Sequence, residues 1–379
     1  METITFYSYK GGVGRTLALA NIAMYLRRFG LNVCLLDFDL EAPGLHYKFT
    51  KYLKTDDIKS GLLDYIHEFT QKRDMPEDFV PFSIEIALKT ERYGSIHLIP
   101  AGNVLSREYW KKLASLDWHS MFYREDSEGV PFFLELKERI EIEFKSDFLL
   151  IDSRTGVTEM GGVCTALLPD KIVFFIANNQ ENIDGACQII KGIKKVKRLP
   201  GQKPIEVILV ITRIPFDKDE TRKSQIVDNV LNILNKDFGE PENQLDVQDI
   251  CVIHSDRELE FSESLRFDKN RLDIETSLTY DYQRFFLKLL SKDFISANID
   301  KIINILDNTD SLSYDKDQVK SILETLSSTI KCPRAFERLI DFYIRNNELA
   351  GPIRNAFYEL KEISDTIDPK ILSKVRKYL

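Results

Sequence analysis

Tyr7-Ser8-Tyr9-Lys10-Gly11-Gly12-Val13-Gly14-Arg15-Thr16 is the stretch that decides the fold. It follows a β-type run at 3–7 and opens a helical pattern at 16–29. A strand, a Gly-rich loop and a helix in that order aim backbone N–H groups and a helix N-terminus at one point. That helix end carries roughly half a positive charge and favours an anion. Glycines let the backbone curl around a phosphate without Cβ clashes. Gly11, Gly12, Val13 and Gly14 supply the curl, Arg15 supplies a charge, and Thr16 supplies a hydroxyl suited to Mg²⁺.

Outward from the loop, further β-type runs stand at 32–37, 95–99, 148–152, 172–177, 205–212 and 249–253. Most are rich in Val, Ile, Leu and Phe and do not alternate with polar residues. Such runs suit strands covered on both faces. Helical patterns lie between them, at 16–29 and 184–197, and a mostly helical insertion spans 104–145. Strand and helix in alternation predict an α/β fold: a doubly wound, mostly parallel sheet. After about residue 293 the strand signal ends. Helices are expected at 297–308, 314–330, 333–347, 350–362 and 368–378, with Pro333, Pro352 and Pro369 near first turns. The division is therefore 1–292 for the α/β domain, ending in a helix at 280–290, and 293–379 for a small C-terminal α-helical module.

Two strands end in acids. Asp37 and Asp39 close the run Leu35-Leu36-Asp37-Phe38-Asp39-Leu40-Glu41-Ala42-Pro43-Gly44-Leu45. Carboxylates two apart at a strand end face the same way, beside a phosphate, its metal or an attacking water. Phe148-Leu149-Leu150-Ile151-Asp152-Ser153-Arg154-Thr155-Gly156 is an apolar strand ending in Asp, with Gly four residues later. Asp152 there suits Mg²⁺ held through water, and Gly156 offers a backbone N–H. Arg154 reads either as a γ-phosphate sensor or arginine finger, or as the partner of an acid such as Glu159 or Asp39.

The usual P-loop pattern is GxxxxGK[ST]. Here Tyr9 takes the first glycine position, Arg15 takes the lysine position, and Lys10 precedes the two glycines. With these motifs the sequence resembles the ParA/MinD family of deviant Walker A ATPases (the SIMIBI class), in a branch carrying KGGVGRT. The resemblance covers about 1–290 and not the C-terminal helices. It implies ATP and Mg²⁺ as ligands and a homodimer in the ATP state, in which Lys10 reaches the partner's phosphates. It also implies that Asp37 supports the metal shell, Asp39 orients water, and Thr16 and Asp152 serve the metal. The segment Leu98-Ile99-Pro100-Ala101-Gly102 also looks like a family segment and is read as packing or turn. At Ile211-Thr212-Arg213-Ile214-Pro215, relatives carry a base-contacting motif. Pro215 stands where a guanine reader would carry a carboxylate, so adenine is favoured, with Arg213 over the base.

Composition bounds the rest. The 379 residues are 43% hydrophobic, enough for a sizeable core, and the net charge is −8. That balance argues against nucleic acid wrapped over the whole surface. Basic and acidic residues balance over 296–379, so the negative charge belongs to the first part. The five cysteines show no CxxC spacing, so neither a disulfide framework nor a zinc site is indicated. No apolar run is long enough to span a bilayer, and a cytoplasmic location is the default. The basic residues of 191–203 (Lys191, Lys194, Lys195, Lys197, Arg198, Lys203) form either a solvated helix face or a nonspecific DNA contact. The expected function is an ATP-dependent dimerisation switch with slow hydrolysis, regulating a protein partner through the C-terminal helices. A signalling or antiviral-defence setting is one form of it. The alternatives are a DNA-partitioning ATPase and a non-catalytic nucleotide-binding scaffold.

Overall fold

The computed structural model describes residues 1–28, 30–88, 94–156, 159–196, 198–215, 220–236, 244–256, 265, 277–290, 299, 320, 323–324, 326–327, 331–347 and 349–379. The chain divides into two compact units, Met1–Asp268 and Lys269–Leu379. The division expected at 292/293 lies inside the second unit, and so does the helix expected to close the α/β domain.

In the first unit the strands are β1 (Glu2–Ser8), β2 (Val33–Asp37), β3 (Ile84–Glu85), β4 (Ile96–Ile99), β5 (Phe148–Asp152), β6 (Lys171–Ala177), β7 (Glu206–Ile214) and β8 (Ile250–His254). They form one sheet in the order β3-β4-β2-β5-β1-β6-β7-β8. Every pairing is parallel except β3 with β4. All seven expected strands are present within two residues. The two-residue β3 was not foreseen, because it is too short to show a period. The parallel strands are mostly buried on both faces, β2 and β5 at every residue, which is why their sequences do not alternate.

The helices of this unit are α1 (Arg15–Arg28), α2 (Leu62–Lys72), α3 (Arg107–Ser115), α4 (Trp118–Phe122), α5 (Gly129–Phe144), α6 (Glu159–Gly162), α7 (Gln180–Lys194) and α8 (Glu220–Asn235). The insertion at 104–145 resolves into α3, α4 and α5. Helix α7 starts earlier than the pattern at 184–197 suggests. Asn179 caps it by accepting a hydrogen bond from the Asn182 N–H at 3.0 Å. One core joins α2 and α5 to the β2–β5 side of the sheet, with Tyr65 edge-on to Phe79 and Phe82, both at 5.1 Å. A second core packs β6 and β7 against α7 and α8.

This topology positions the site. From β1 the chain moves past β5 to β2, and from β5 it moves past β1 to β6. The carboxyl ends of β1, β2 and β5 meet where that direction reverses, the usual ligand crevice of an open α/β sheet.

In the second unit the described helices are α9 (Ser277–Leu289), α10 (Pro333–Arg345), α11 (Ala350–Ile363) and α12 (Pro369–Val375). Three of the five expected helices match α10, α11 and α12. The stretches at 297–308 and 314–330 lie almost wholly outside the described residues. Asp341 on α10 is buried and receives three cations: Arg338 at 3.2 Å, Arg345 at 2.7 Å, and Lys374 of α12. The last contact ties α12 to α10. Asp341→Ala is expected to lose roughly 1–2 kcal/mol, below a fully buried pair because Arg345 and Lys374 are half in water. A fall in the urea midpoint checks this; an unchanged midpoint would show the cluster to be ornamental to stability. Among the described residues no helix is long and apolar enough to cross a membrane, and the five cysteines are buried and form no disulfide.

Candidate nucleotide site

The loop between β1 and α1 curls through Gly12 (φ +75°) and Gly14 (φ +78°). Both lie in the left-handed region that L side chains avoid, so the glycines at these positions are required by geometry. Val13 is buried and pins the curl from below. The Gly14 carbonyl accepts from the Ala18 N–H at 2.9 Å, so the helical ladder starts at the loop's end. Tyr9 does not spoil the loop by replacing a glycine. Its ring lies against α7, where a Cβ on Gly185 would stand 2.2 Å from it. The missing side chain at Gly185 makes room for the extra one at Tyr9.

Thr16 and Asp152 come together as expected: the Thr16 hydroxyl donates to Asp152 Oδ2 at 2.7 Å. Asp37 and Asp152 stand opposite each other in the β2–β5 register. Asp37 is fully buried, and accepts from the Asp39 N–H at 3.3 Å and the Leu45 N–H at 3.2 Å. Burial and the facing Asp152 push its carboxyl well above the usual range. Asp39 sits at the rim, 14% exposed. Burial raises its carboxyl too, with the Arg15 charge opposing.

Arg15 is where the structure adds most to the sequence. Its side chain is only 7% exposed. Nε donates to Asp152 Oδ1 at 2.7 Å, Nη1 to Ser8 Oγ at 3.5 Å, and Nη2 to Asp39 Oδ2 at 3.5 Å. Burial works against its charge, and Asp152, Asp39 and Asp37 more than offset that. The residue expected to meet phosphate thus gathers the carboxylates of β2 and β5 around itself.

Two further cations of this region also meet acids. Lys10 pairs with Glu181 in the first turn of α7 at 2.7 Å, both exposed. The Glu181 hydrogen bond raises the Lys10 ammonium. Arg154 pairs with Glu41, and so links the segment after β2 to the segment after β5; the side chain of Glu159 lies outside the described residues. Gly156 has φ +78°, and its carbonyl accepts from the Tyr7 hydroxyl at 2.6 Å. Burial pushes that Tyr7 hydroxyl up to about 12, keeping it a donor. Ser8, Glu41 and Tyr7 were not singled out from the sequence as site residues. Nor was Tyr109 of α3, whose hydroxyl donates to the Leu40 carbonyl at 2.6 Å and props the segment after β2.

Arg213 is brought to the loop. It adopts φ +60° near the end of β7, where the pairing with β8 shifts register between Ile211 and Ile214. A Cβ placed on Gly12 would stand 3.3 Å from its Nη2. The basic run at 191–203 is not a uniform cationic face. Arg198 is drawn inward, its Nη1 donating to the Ala166 carbonyl at 2.8 Å and its Nε to the Lys203 carbonyl at 3.2 Å. Lys197 lies outside the described residues.

Among the described residues no three His, Cys, Asp or Glu side chains converge as a metal cage. Mg²⁺ seldom needs one. It is held by one or two carboxylates, a hydroxyl, waters and substrate phosphates, and the hard-oxygen set of Thr16, Asp37 and Asp152 fits that chemistry.

The family described as CobQ/CobB/MinD/ParA nucleotide binding domain matches residues 4–226. Among solved structures, the septum site-determining protein MinD of Pyrococcus horikoshii OT3, complexed with Mg-ADP, is 16% identical, with a TM-score of 0.52. The match covers 78% of this chain and 98% of that one. A ParA family ATPase of Chlorobium tepidum TLS is 16% identical, with a TM-score of 0.51, covering 76% and 98%. The cell division protein MinD of Aquifex aeolicus is 20% identical, with a TM-score of 0.48, covering 76% and 97%. At these identities the likeness is one of fold. No curated protein matches the chain.

Proposed function

Because the chain belongs to the CobQ/CobB/MinD/ParA nucleotide-binding domain family, we propose that it binds ATP with Mg²⁺, hydrolyses it slowly, and uses the nucleotide to control its own dimerisation. The observation that carries this reading is the Thr16–Asp152 hydrogen bond at 2.7 Å beside the left-handed Gly12 and Gly14. Loop, hydroxyl and strand-end carboxylate meet at the mouth of the sheet, as phosphate and Mg²⁺ require.

In this reading Gly11, Gly12, Val13, Gly14 and Thr16 wrap the phosphates with backbone N–H groups. Thr16, Asp37 and Asp152 would hold Mg²⁺, which would supply positive charge against the phosphates. Asp39 orients the water that attacks the γ-phosphorus, giving ADP and phosphate. Arg15 keeps Asp39 and Asp152 in place and sets a buried positive charge where negative charge develops. The Gly156 backbone faces the γ-phosphate side. Adenine is the favoured base, since Pro215 replaces the carboxylate a guanine reader needs.

Lys10 supplies the dimer contact. Its pair with Glu181 is exposed and therefore cheap to exchange for a partner's phosphates. ATP with Mg²⁺ is expected to double the mass seen by light scattering, ADP is not, and Lys10→Ala is expected to weaken the ATP dimer. Equal masses in ATP and ADP would remove the dimerisation switch.

The helical stretch 293–379 is the part proposed to meet a protein partner, in a signalling or defence system among other settings. A DNA-binding reading through 191–203 is less supported, because Arg198 is spent on backbone carbonyls. A non-catalytic scaffold is favoured only by the engagement of Arg15 with acids, and an ATP-turnover assay excludes it on any measurable hydrolysis.

A further inference from the structure

We infer that the side chain gripping the polyphosphate from within this chain is Arg213, and that it takes over the part a lysine at position 15 would play. The inference rests on the nucleotide reading and deepens it.

The argument begins with Arg15. All three of its guanidinium nitrogens are engaged by protein groups: Asp152, Ser8 and Asp39. The Nε contact is decisive. Nε lies near the stem of the side chain, so its 2.7 Å bond to Asp152 turns the whole fork toward β5 and β2. A lysine has a single charged end that can swing along the loop, whereas the arginine is fixed by three points. Swinging it to phosphate would give up the bond to Asp152, which is 1% exposed, together with the contacts to Ser8 and Asp39.

A polyphosphate of several negative charges still needs a cation beside the loop. Lys10 stands outside the curl, on Glu181. Arg154 is tied to Glu41. Among the described residues beside the loop Arg213 remains, and its backbone takes a left-handed turn there. A non-glycine residue at φ +60° is uncommon and costs free energy. The register shift at Ile211/Ile214 re-aims the side chain, as bulges beside active sites do. The result puts Nη2 over Gly12, 3.3 Å from where a Cβ would be. Gly12 is one of the loop residues that the nucleotide reading wraps around phosphate. A fork of guanidinium donors above that curl meets phosphate oxygens bidentately. It is too close to the loop to serve the base alone, the role the sequence suggested.

A probe without a base separates the two roles. Binding of ATP and of inorganic tripolyphosphate, each with Mg²⁺, is measured by isothermal titration for the wild type, Arg213→Gln and Arg213→Lys. Gln keeps much of the side chain's length and removes its charge. Thermal melts confirm that each variant is folded. The expected result is that Arg213→Gln loses at least about 10-fold in affinity for both ligands, with partial recovery in Arg213→Lys. If the wild type binds both ligands and Arg213→Gln binds tripolyphosphate equally well, the inference is overturned while the nucleotide reading stands. If the wild type binds neither ligand, the nucleotide reading falls and this inference with it.

Discussion

Arg15→Ala is expected to lose about 3–5 kcal/mol of stability in the nucleotide-free protein, the cost of breaking a buried ion pair by removing one partner. Asp152 is 1% exposed, and its Oδ1 is held by Arg15 Nε at 2.7 Å. Alanine at position 15 leaves that oxygen buried without its cation, opposite Asp37 and near Asp39. Arg15→Lys is expected to lose less, about 1–2 kcal/mol, because a lysine can meet one carboxylate but cannot fork between Asp152 and Asp39. Urea unfolding followed by circular dichroism checks both. The pH dependence gives a second reading of the same cause. Burial and Asp152 already hold the Asp37 carboxyl well above its usual range. A carboxyl raised in the folded state penalises folding above its unfolded pKa, and the penalty shrinks as pH falls. Without Arg15 the penalty is larger, so the deficit of Arg15→Ala should narrow from about pH 7 to about pH 5. A deficit constant over that range would mean that lost packing, not unpaired charge, explains it.

The features legible in the sequence are those written locally. The strands of the parallel sheet announce themselves as unbroken apolar runs because both faces are covered, and 148–152 coincides with β5 residue for residue. The phosphate loop is legible because its geometry demands glycines at fixed places. The acids at the ends of β2 and β5 follow from strand position alone. The charge pattern inside the site is not local. Arg15 and Asp152 are 137 residues apart, and Arg154 and Glu41 are 113 apart. Which acid meets which cation depends on strand order, and β5 lying between β1 and β2 settles it. For that reason Arg154 finds Glu41, on the segment after the neighbouring β2. Position 213 is a case of a different kind. The run at 205–212 was expected to end at Thr212, whereas β7 continues to Ile214 through a left-handed Arg213. No periodicity signals a left-handed arginine, because nothing in the residue type favours it.

The second large effect is expected at Asp39, and it follows from how differently the two acids after β2 are held. Asp37 is fully buried, and both its oxygens accept backbone N–H groups, from Asp39 and Leu45. It shapes the segment after β2. Asp39 is partly exposed, and its contacts are long: 3.4 Å from the Ala42 N–H and 3.5 Å from Arg15 Nη2. Those bonds fix its direction while leaving acceptor capacity for a water. Asp39→Ala is therefore expected to bind ATP within a few-fold of the wild type while turnover falls by about 100-fold or more, on the order of 3 kcal/mol of barrier. Such a split, with binding kept and turnover lost, is the mark of an interaction made chiefly in the transition state. Asp39→Asn refines the test. The amide keeps the shape and one acceptor oxygen but loses the charge facing Arg15, so recovery of turnover would credit orientation of the water over electrostatics. Asp39→Ala turning over ATP at the wild-type rate would mean that another group places the water, and the role given to the end of β2 would have to be withdrawn.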